Sequence, residues 1–257
     1  MKTPLIKRTV GQGKDIVLLH GWGVNSGVWQ GISEPLQAHF RVTYIDLPGF
    51  GKNSQRQPEN YDLANVADLI SECLPPTCIL AGWSLGGLVA QKIALTKPEG
   101  IEQLVLVASS PKFAAAPDWP GIDAKTLTFF QQQLAQDFSK TLDRFLAIQA
   151  MGSATAKADI KQIKQCIEQL PSPSLTALKA GLAILAETDH RTQLASLKVR
   201  THWMFGRLDT LVPLSLAKRL PSLQASANTN ILNNASHAPF ISDPQTFINE
   251  LFTLLEW

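Results

Sequence analysis

Short, nearly unbroken apolar runs recur through the first 110 residues: DIVLLHG (15–21), RVTYIDL (41–47), TCILAG (77–82) and QLVLVAS (103–109). Runs of this length without polar alternation predict strands buried on both faces, the kind that build a parallel sheet. Between them, ADLISECL (67–74) and GLVAQKIAL (87–95) repeat apolar residues at three- and four-residue spacing, which predicts helices. Strand and helix alternate, so this part is expected to be βαβ-like, an α/β fold with right-handed crossovers. From about Phe113 to Ala186 the strand pattern stops. Segments such as LTFFQQQLAQDFSKTLDRFLAIQAM keep helical spacing in Gln-, Ala- and Lys-rich text, predicting a helical insertion. Strands resume at VRTHWMFG (199–206) and more weakly at NTNILN (228–233), and PQTFINELFTLLEW closes the chain as an amphipathic helix. The expected layout is a core domain of residues 1–112 and 187–257, interrupted by a helical cap at 113–186.

Composition narrows the classes without choosing among them. With 257 residues, 45% of them apolar and 17% charged, the chain can bury a substantial core and is unlike a disordered protein. A formal net charge of +2 gives no global reason to bind nucleic acid. No apolar run approaches the roughly 18 residues of a membrane span, and the N-terminus, broken by Lys7, Arg8 and Lys14, lacks the apolar core of a signal peptide. Cys73, Cys78 and Cys166 form neither a CxxC pair nor an even set, which suits a reducing cytoplasm.

The candidate chemistry centres on Gly82-Trp83-Ser84-Leu85-Gly86, a G-x-S-x-G segment lying directly after a predicted strand and before a predicted helix. In so sharp a turn the nucleophile takes a strained backbone, and its neighbours two residues away must be small. Gly82 and Gly86 satisfy that demand; a Gly-rich turn with a solvent-facing serine is the competing reading. A serine nucleophile needs a base, oriented in turn by an acid. Of five histidines, His237, in the loop after the last strand, is placed where ligands bind an open parallel sheet. His39, His190 and His202 read as structural. Asp209, three residues past the end of a strand, is preferred as the acid over Asp189, which follows a helical segment. Asp46 is expected to stabilise its own turn. Oxyanion donors are expected from the backbone of Leu85 and of Trp22, the latter in HGWG, where His20 shapes the loop. The histidines and cysteines are dispersed, and the Gly-rich GQGKDI precedes its strand instead of following it, so neither a metal nor a dinucleotide cofactor is expected.

These motifs resemble the α/β-hydrolase superfamily over nearly the whole chain. LLHGWGVNSGVW, DLPGFG and GWSLGGLVA occur widely in it, whereas WPGI, FQQQL and RFLAIQAMG in the cap resemble more narrowly the pimeloyl-[acyl-carrier protein] methyl ester esterase family of biotin synthesis. The resemblance implies an α/β-hydrolase fold with a mostly parallel sheet, helices on both faces and a helical cap. It also implies a monomeric, cofactor-free serine esterase with the triad Ser84, Asp209 and His237, acting on a pimeloyl methyl ester held by an acyl-carrier protein. Trp22 and Leu85 would bind substrate at the oxyanion, and Phe145, Leu146, Ala147, Ile148 and Gln149 would line the acyl channel, with Trp83 adding apolar wall. Independently, residues 140–164 hold five basic residues (Lys140, Arg144, Lys157, Lys161, Lys164) and two acidic ones (Asp143, Asp159), a local net of +3. The charges alone fit an ordinary solvated helix face. Beside the resemblance, Lys140, Arg144, Lys157 and Lys161 become the expected docking face for an acidic carrier. A generalist short-chain carboxylesterase and a non-catalytic hydrolase-fold receptor are the alternatives; a dehalogenase is disfavoured, because that chemistry needs a carboxylate at position 84.

Overall fold

A computed structural model describes residues 4–256. Its sheet contains β1 (Lys7–Val10), β2 (Lys14–Leu19), β3 (Phe40–Ile45), β4 (Cys78–Trp83), β5 (Ile101–Val107), β6 (Arg200–Gly206) and β7 (Asn228–Leu232). Their spatial order is β1-β3-β2-β4-β5-β6-β7. Every pairing from β3 to β7 is parallel, while β1 runs antiparallel to β3, Lys7 opposite Ile45 and Val10 opposite Val42. The apolar pattern gives no sign of β1. KRTV is an edge strand whose residues are largely exposed, so it carries no apolar run.

Side chains of the central strands alternate between two apolar clusters, as period-two geometry requires. Val17, Leu19, Leu80, Leu104, Leu106, Trp203 and Phe205 enter one, and Ile16, Leu18, Ile79, Ala81, Val105, Val107 and Met204 enter the other. Both faces of the sheet are therefore buried, which is why the strands read as continuous apolar text. Each fully buried residue of this size contributes roughly 1.5–3 kcal/mol.

The helices are α1 (Gln30–Gln37), α2 (Leu63–Ser71), α3 (Leu85–Thr96), α4 (Ala124–Gln136), α5 (Phe138–Gln149), α6 (Ala156–Glu168), α7 (Leu175–Glu187), α8 (Leu220–Leu223), α9 (Pro239–Ser242) and α10 (Pro244–Leu255). Four of them, α4 to α7, fall between β5 and β6. None among the described residues is long and apolar enough to cross a membrane. The chain leaves β2 towards β3 on one side and β4 continues the sheet on the other, so the order reverses between β2 and β4. Ligands of open α/β sheets bind beyond the carboxyl ends of the strands at such a point.

Candidate active site

The loop at that switch point begins with Ser84, between β4 and α3. Its backbone has φ 54° and ψ −116°, a region costly for a residue with a Cβ. Close packing of the turn imposes it. A Cβ on Gly82 would collide with the Gly86 carbonyl, and one on Gly86 would lie 2.5 Å from the carbonyl oxygen of His20. Strand ends hold the strained residue from both sides: Ser84 N donates to the Val107 carbonyl at 3.0 Å, and Ser109 Oγ donates to the Ser84 carbonyl at 3.0 Å.

His237, in the loop after β7, has Nε2 2.9 Å from Ser84 Oγ and Nδ1 2.8 Å from Asp209 Oδ2. Asp209 follows β6, and its other oxygen, Oδ1, accepts from Leu211 N at 2.8 Å and Val212 N at 3.0 Å. Those two amides leave Oδ2 free to face the imidazole, so Nδ1 carries the hydrogen and Nε2 presents a lone pair to the serine hydroxyl. The loop is pinned further: Trp83 Nε1 donates to the His237 carbonyl at 2.7 Å, and His237 N donates to the Gln149 carbonyl at 3.2 Å. All three side chains are buried, with Ser84 only 1% exposed.

Trp22 lies in the loop after β2, beside Ser84. Its indole Nε1 donates to the Leu178 carbonyl of α7 at 2.9 Å, and its ring meets Phe145 edge-on with centroids 4.7 Å apart. The backbone N–H groups of Trp22 and Leu85 donate to no protein acceptor among the described residues. Leu85 also begins α3, whose positive dipole end favours negative charge at this point. Two residues that support the site escaped the sequence reading. Gly181, inside α7, sits where a Cβ would lie 2.7 Å from Trp22 Cδ1, and its only signal is a glycine interrupting an otherwise good helix. Thr210, beside Asp209, reaches the Ile148 carbonyl at 3.4 Å through Oγ1, and no local pattern marks it.

The five consecutive residues expected to line an acyl channel belong to one helix and so cannot share one face. Phe145 touches Trp22, and Gln149 is buried against the His237 loop. Leu146 enters the apolar cluster that contains Trp83 and Phe240. Ala147 and Ile148 instead border a shallow cavity of about 430 Å³ between α4 and α5, with Phe129, Phe130, Lys125 and Arg144.

The remaining polar residues are spoken for elsewhere. His20 Nε2 accepts from Leu47 N at 2.9 Å and Nδ1 lies 2.7 Å from the Gly21 carbonyl, which shapes the loop that carries Trp22; burial lowers its pKa, against the opposing pull of Asp46. Asp46 binds Lys52 N of its own turn at 2.9 Å and also Ser26 N of the neighbouring loop at 2.6 Å. Asp189 forms ion pairs with Arg191 and Lys112, and the Arg191 hydrogen bonds above all hold its carboxyl down at about 2. His190 and His202 pair with Gln91 and Gln103, and burial depresses both to about 4. No group of His, Cys, Asp or Glu among the described residues could hold a metal ion.

Lys140 and Arg144 are exposed on α5, and Lys157 and Lys161 on α6. Lys140 pairs with Asp137 at 3.2 Å, and Arg144 lies 5.6 Å over the Phe129 ring. Of the acids nearby, Asp143 is bound by Lys164 at 2.7 Å, and Asp159 is buried, accepting from Ser153 Oγ at 2.9 Å.

The family model described as alpha/beta hydrolase fold matches residues 15–244. Among solved structures, the esterase from Exiguobacterium antarcticum superposes with a TM-score of 0.86 at 20% identity, over 98% of this chain and 96% of that one. A hydrolase from Pseudomonas aeruginosa does so with a TM-score of 0.84 at 26% identity, over 98% and 94%. Curated relatives named pimeloyl-[acyl-carrier protein] methyl ester esterase include that of Pseudoalteromonas atlantica, 54% identical over 98% of both chains. The one from Aeromonas salmonicida is 50% identical over 93% of this chain and 94% of its own. The chain belongs to the α/β-hydrolase fold family and, within it, to the family of pimeloyl-[acyl-carrier protein] methyl ester esterases.

Proposed function

We propose that this chain is a serine carboxylesterase that removes the methyl group from a pimeloyl methyl ester carried by an acyl-carrier protein, a step of biotin synthesis. The observation that carries the reading is the unbroken chain of hydrogen bonds Asp209–His237–Ser84 at 2.8 and 2.9 Å, set at the carboxyl edge of the sheet. The reaction follows from it. Ser84 Oγ attacks the ester carbonyl as His237 Nε2 takes its proton, and Asp209 stabilises the imidazolium that forms. The N–H groups of Leu85 and Trp22 receive the oxyanion. Collapse of the tetrahedral intermediate expels methanol, protonated by His237; water then cleaves the acyl-enzyme and frees the pimeloyl carboxylate, still on its carrier.

Residues 113–186 act as a cap on the core of 1–112 and 187–257, and they select the ester. Phe145 and Gln149 face the reacting groups from the inner side of α5. Lys140, Arg144, Lys157 and Lys161 form the outer docking face. Lys157 and Lys161 form no ion pair with an acidic side chain among the described residues, so their charge is available to an acidic partner. The enzyme works without a cofactor, as a monomer in the cytoplasm, where its three free thiols are stable. Growth of a biotin-requiring strain lacking its own esterase tests the reading: wild type is expected to restore growth and Ser84→Ala to fail. Equal hydrolysis of the carrier-bound methyl ester and a simple butyrate ester, unaffected by charge reversal on α5 and α6, would instead identify a generalist carboxylesterase.

A further inference from the structure

Four glutamines are buried in this protein: Gln91, Gln103, Gln149 and Gln224. Three have hydrogen-bonding partners. Gln91 bonds Ser110 and His190, Gln103 bonds His202, and Gln224 bonds Thr201 and Trp203. Gln149 differs: both Nε2 and Oε1 are buried without a partner, although the residue is only 1% exposed. Leaving a buried amide without partners is costly, so its presence needs a reason.

Its place supplies one. Leu142, Phe145 and Gln149 stand at i, i+3 and i+7 on α5 and therefore share one face of the helix. Phe145 on that face meets Trp22, and Leu142 Cδ1 lies 2.7 Å from where a Cβ on Gly23 would be, so the stripe looks onto the oxyanion loop. At its end, the Gln149 carbonyl is bonded to His237 N and the adjacent Ile148 carbonyl to Thr210. The end of α5 is thus tied to the loops that hold the base and the acid, and the Gln149 backbone is anchored to that of His237 at 3.2 Å.

The geometry points to Gln149 as the residue that positions the hydrolytic water and favours it over methanol, an inference that rests on the esterase reading. In deacylation the water occupies the place the alkoxy group has left. One O–H bond breaks and its proton passes to His237 Nε2, while the water oxygen bonds to the acyl carbon. The second hydrogen is donated to Gln149 Oε1. Breakdown of the intermediate then breaks the bond to Ser84 Oγ, to which His237 returns the proton, and the carboxylic acid departs. Methanol has one O–H hydrogen, which His237 takes, so it offers nothing to Oε1. Water is therefore aligned better than the alcohol just released.

The test uses p-nitrophenyl hexanoate, whose leaving group departs without help, in buffer containing methanol. Gln149→Leu is expected to keep the nitrophenol burst, slow steady-state turnover about tenfold, and raise the ratio of methyl hexanoate to hexanoate about tenfold, the effect of one hydrogen bond. Gln149→Glu, which retains an acceptor, should keep the wild-type ratio. Labelling of Ser84 by a fluorophosphonate at the wild-type rate shows that the Leu variant is folded; if it is not, Gln149→Asn, with its acceptor withdrawn by a methylene, should shift the ratio the same way. A slower burst with an unchanged ratio would overturn the inference and leave Gln149 as channel wall. Wild type that neither gives a burst nor labels at Ser84 would overturn the esterase reading itself, a separate result.

Discussion

The loops at the carboxyl edge of the sheet and the helices above them are built under opposite constraints. At the edge, Trp22 follows β2, Ser84 follows β4, Asp209 follows β6 and His237 follows β7, so each proposed catalytic group is placed by the end of a sheet strand. Hydrogen bonds of 2.7–3.0 Å hold them in place: Leu211 N and Val212 N donate to the Asp209 carboxylate, and the Trp83 indole and the Ser109 hydroxyl donate to the backbone carbonyls of His237 and Ser84. On the outer surface of α5 and α6, long cationic side chains project from helices that carry their apolar residues inward. One region fixes atoms and the other presents charge. Reactivity should therefore depend steeply on single atoms at the edge, whereas recognition on the cap should be shared and shallow.

The steepest test is Ser84→Ala. Loss of the nucleophile should lower kcat on any ester by about 10⁵ to 10⁶-fold, with the melting temperature little changed, because alanine keeps the Cβ that makes a φ of 54° costly. A fall of less than a hundredfold would show that another group can attack. Asp209→Asn comes next. Leu211 N and Val212 N can still hold Oδ1, but an amide at the other position no longer selects the tautomer that leaves Nε2 free, so kcat should drop about 10⁴-fold with KM little altered. Single-turnover measurements separate the two constants; an equal rise in KM would make Asp209 a substrate-binding residue instead.

On the cap the effects should be smaller and conditional. Lys157→Glu with Lys161→Glu is expected to lower kcat/KM for the carrier-bound ester about tenfold at low ionic strength, to lose most of that effect in about 0.5 M salt, and to leave a free methyl ester untouched. If the small ester slows equally, the charges support the fold and not docking. The contrast with the edge would then fail, since both regions would act through the same atoms.

The same contrast explains what could be read from the chain. Strands buried on both faces leave long apolar runs, so β2 to β6 and the turns after them are legible, whereas the largely exposed β7 leaves only a weak pattern; the positions of Ser84, Asp209 and His237 at strand ends follow from these runs. β1 is not, because an exposed edge strand such as KRTV owes its place to pairing with β3 and not to burial. The supports of Trp22 are harder still. Leu178 contributes only its carbonyl, which every residue has, and Gly181 is recognised only once α7 is seen against the indole. Helical text likewise cannot say that FLAIQ splits between an inner face and an outer groove until the neighbours of α5 are known. Spacing gives a helix its faces, and packing decides what each face meets.

The smallest expected effect concerns acid. All five histidines lie outside residues 113–186, so an acid effect that runs through imidazole falls elsewhere in the chain. His202 lies within β6 beside Gln103, and His190 stands where the chain returns to the core, its N–H bonded to the Pro111 carbonyl at 2.8 Å. Burial, the largest cause, depresses both to about 4, with Arg200 lowering the first further and Lys92 the second. An unfolded histidine titrates near 6.5, so between about pH 6.5 and 4 the unfolded chain binds more protons than the folded one. Stability is therefore retained above pH 6.5 and declines as the pH falls through that window, by roughly 1–3 kcal/mol for each histidine. His190→Gln, which cannot take the proton and can still bond Gln91, should flatten the acid limb of a plot of Tm against pH by a few degrees. An unchanged limb would mean that protonation of His190 does not set the acid limit, and His202, within β6, would then have to carry it.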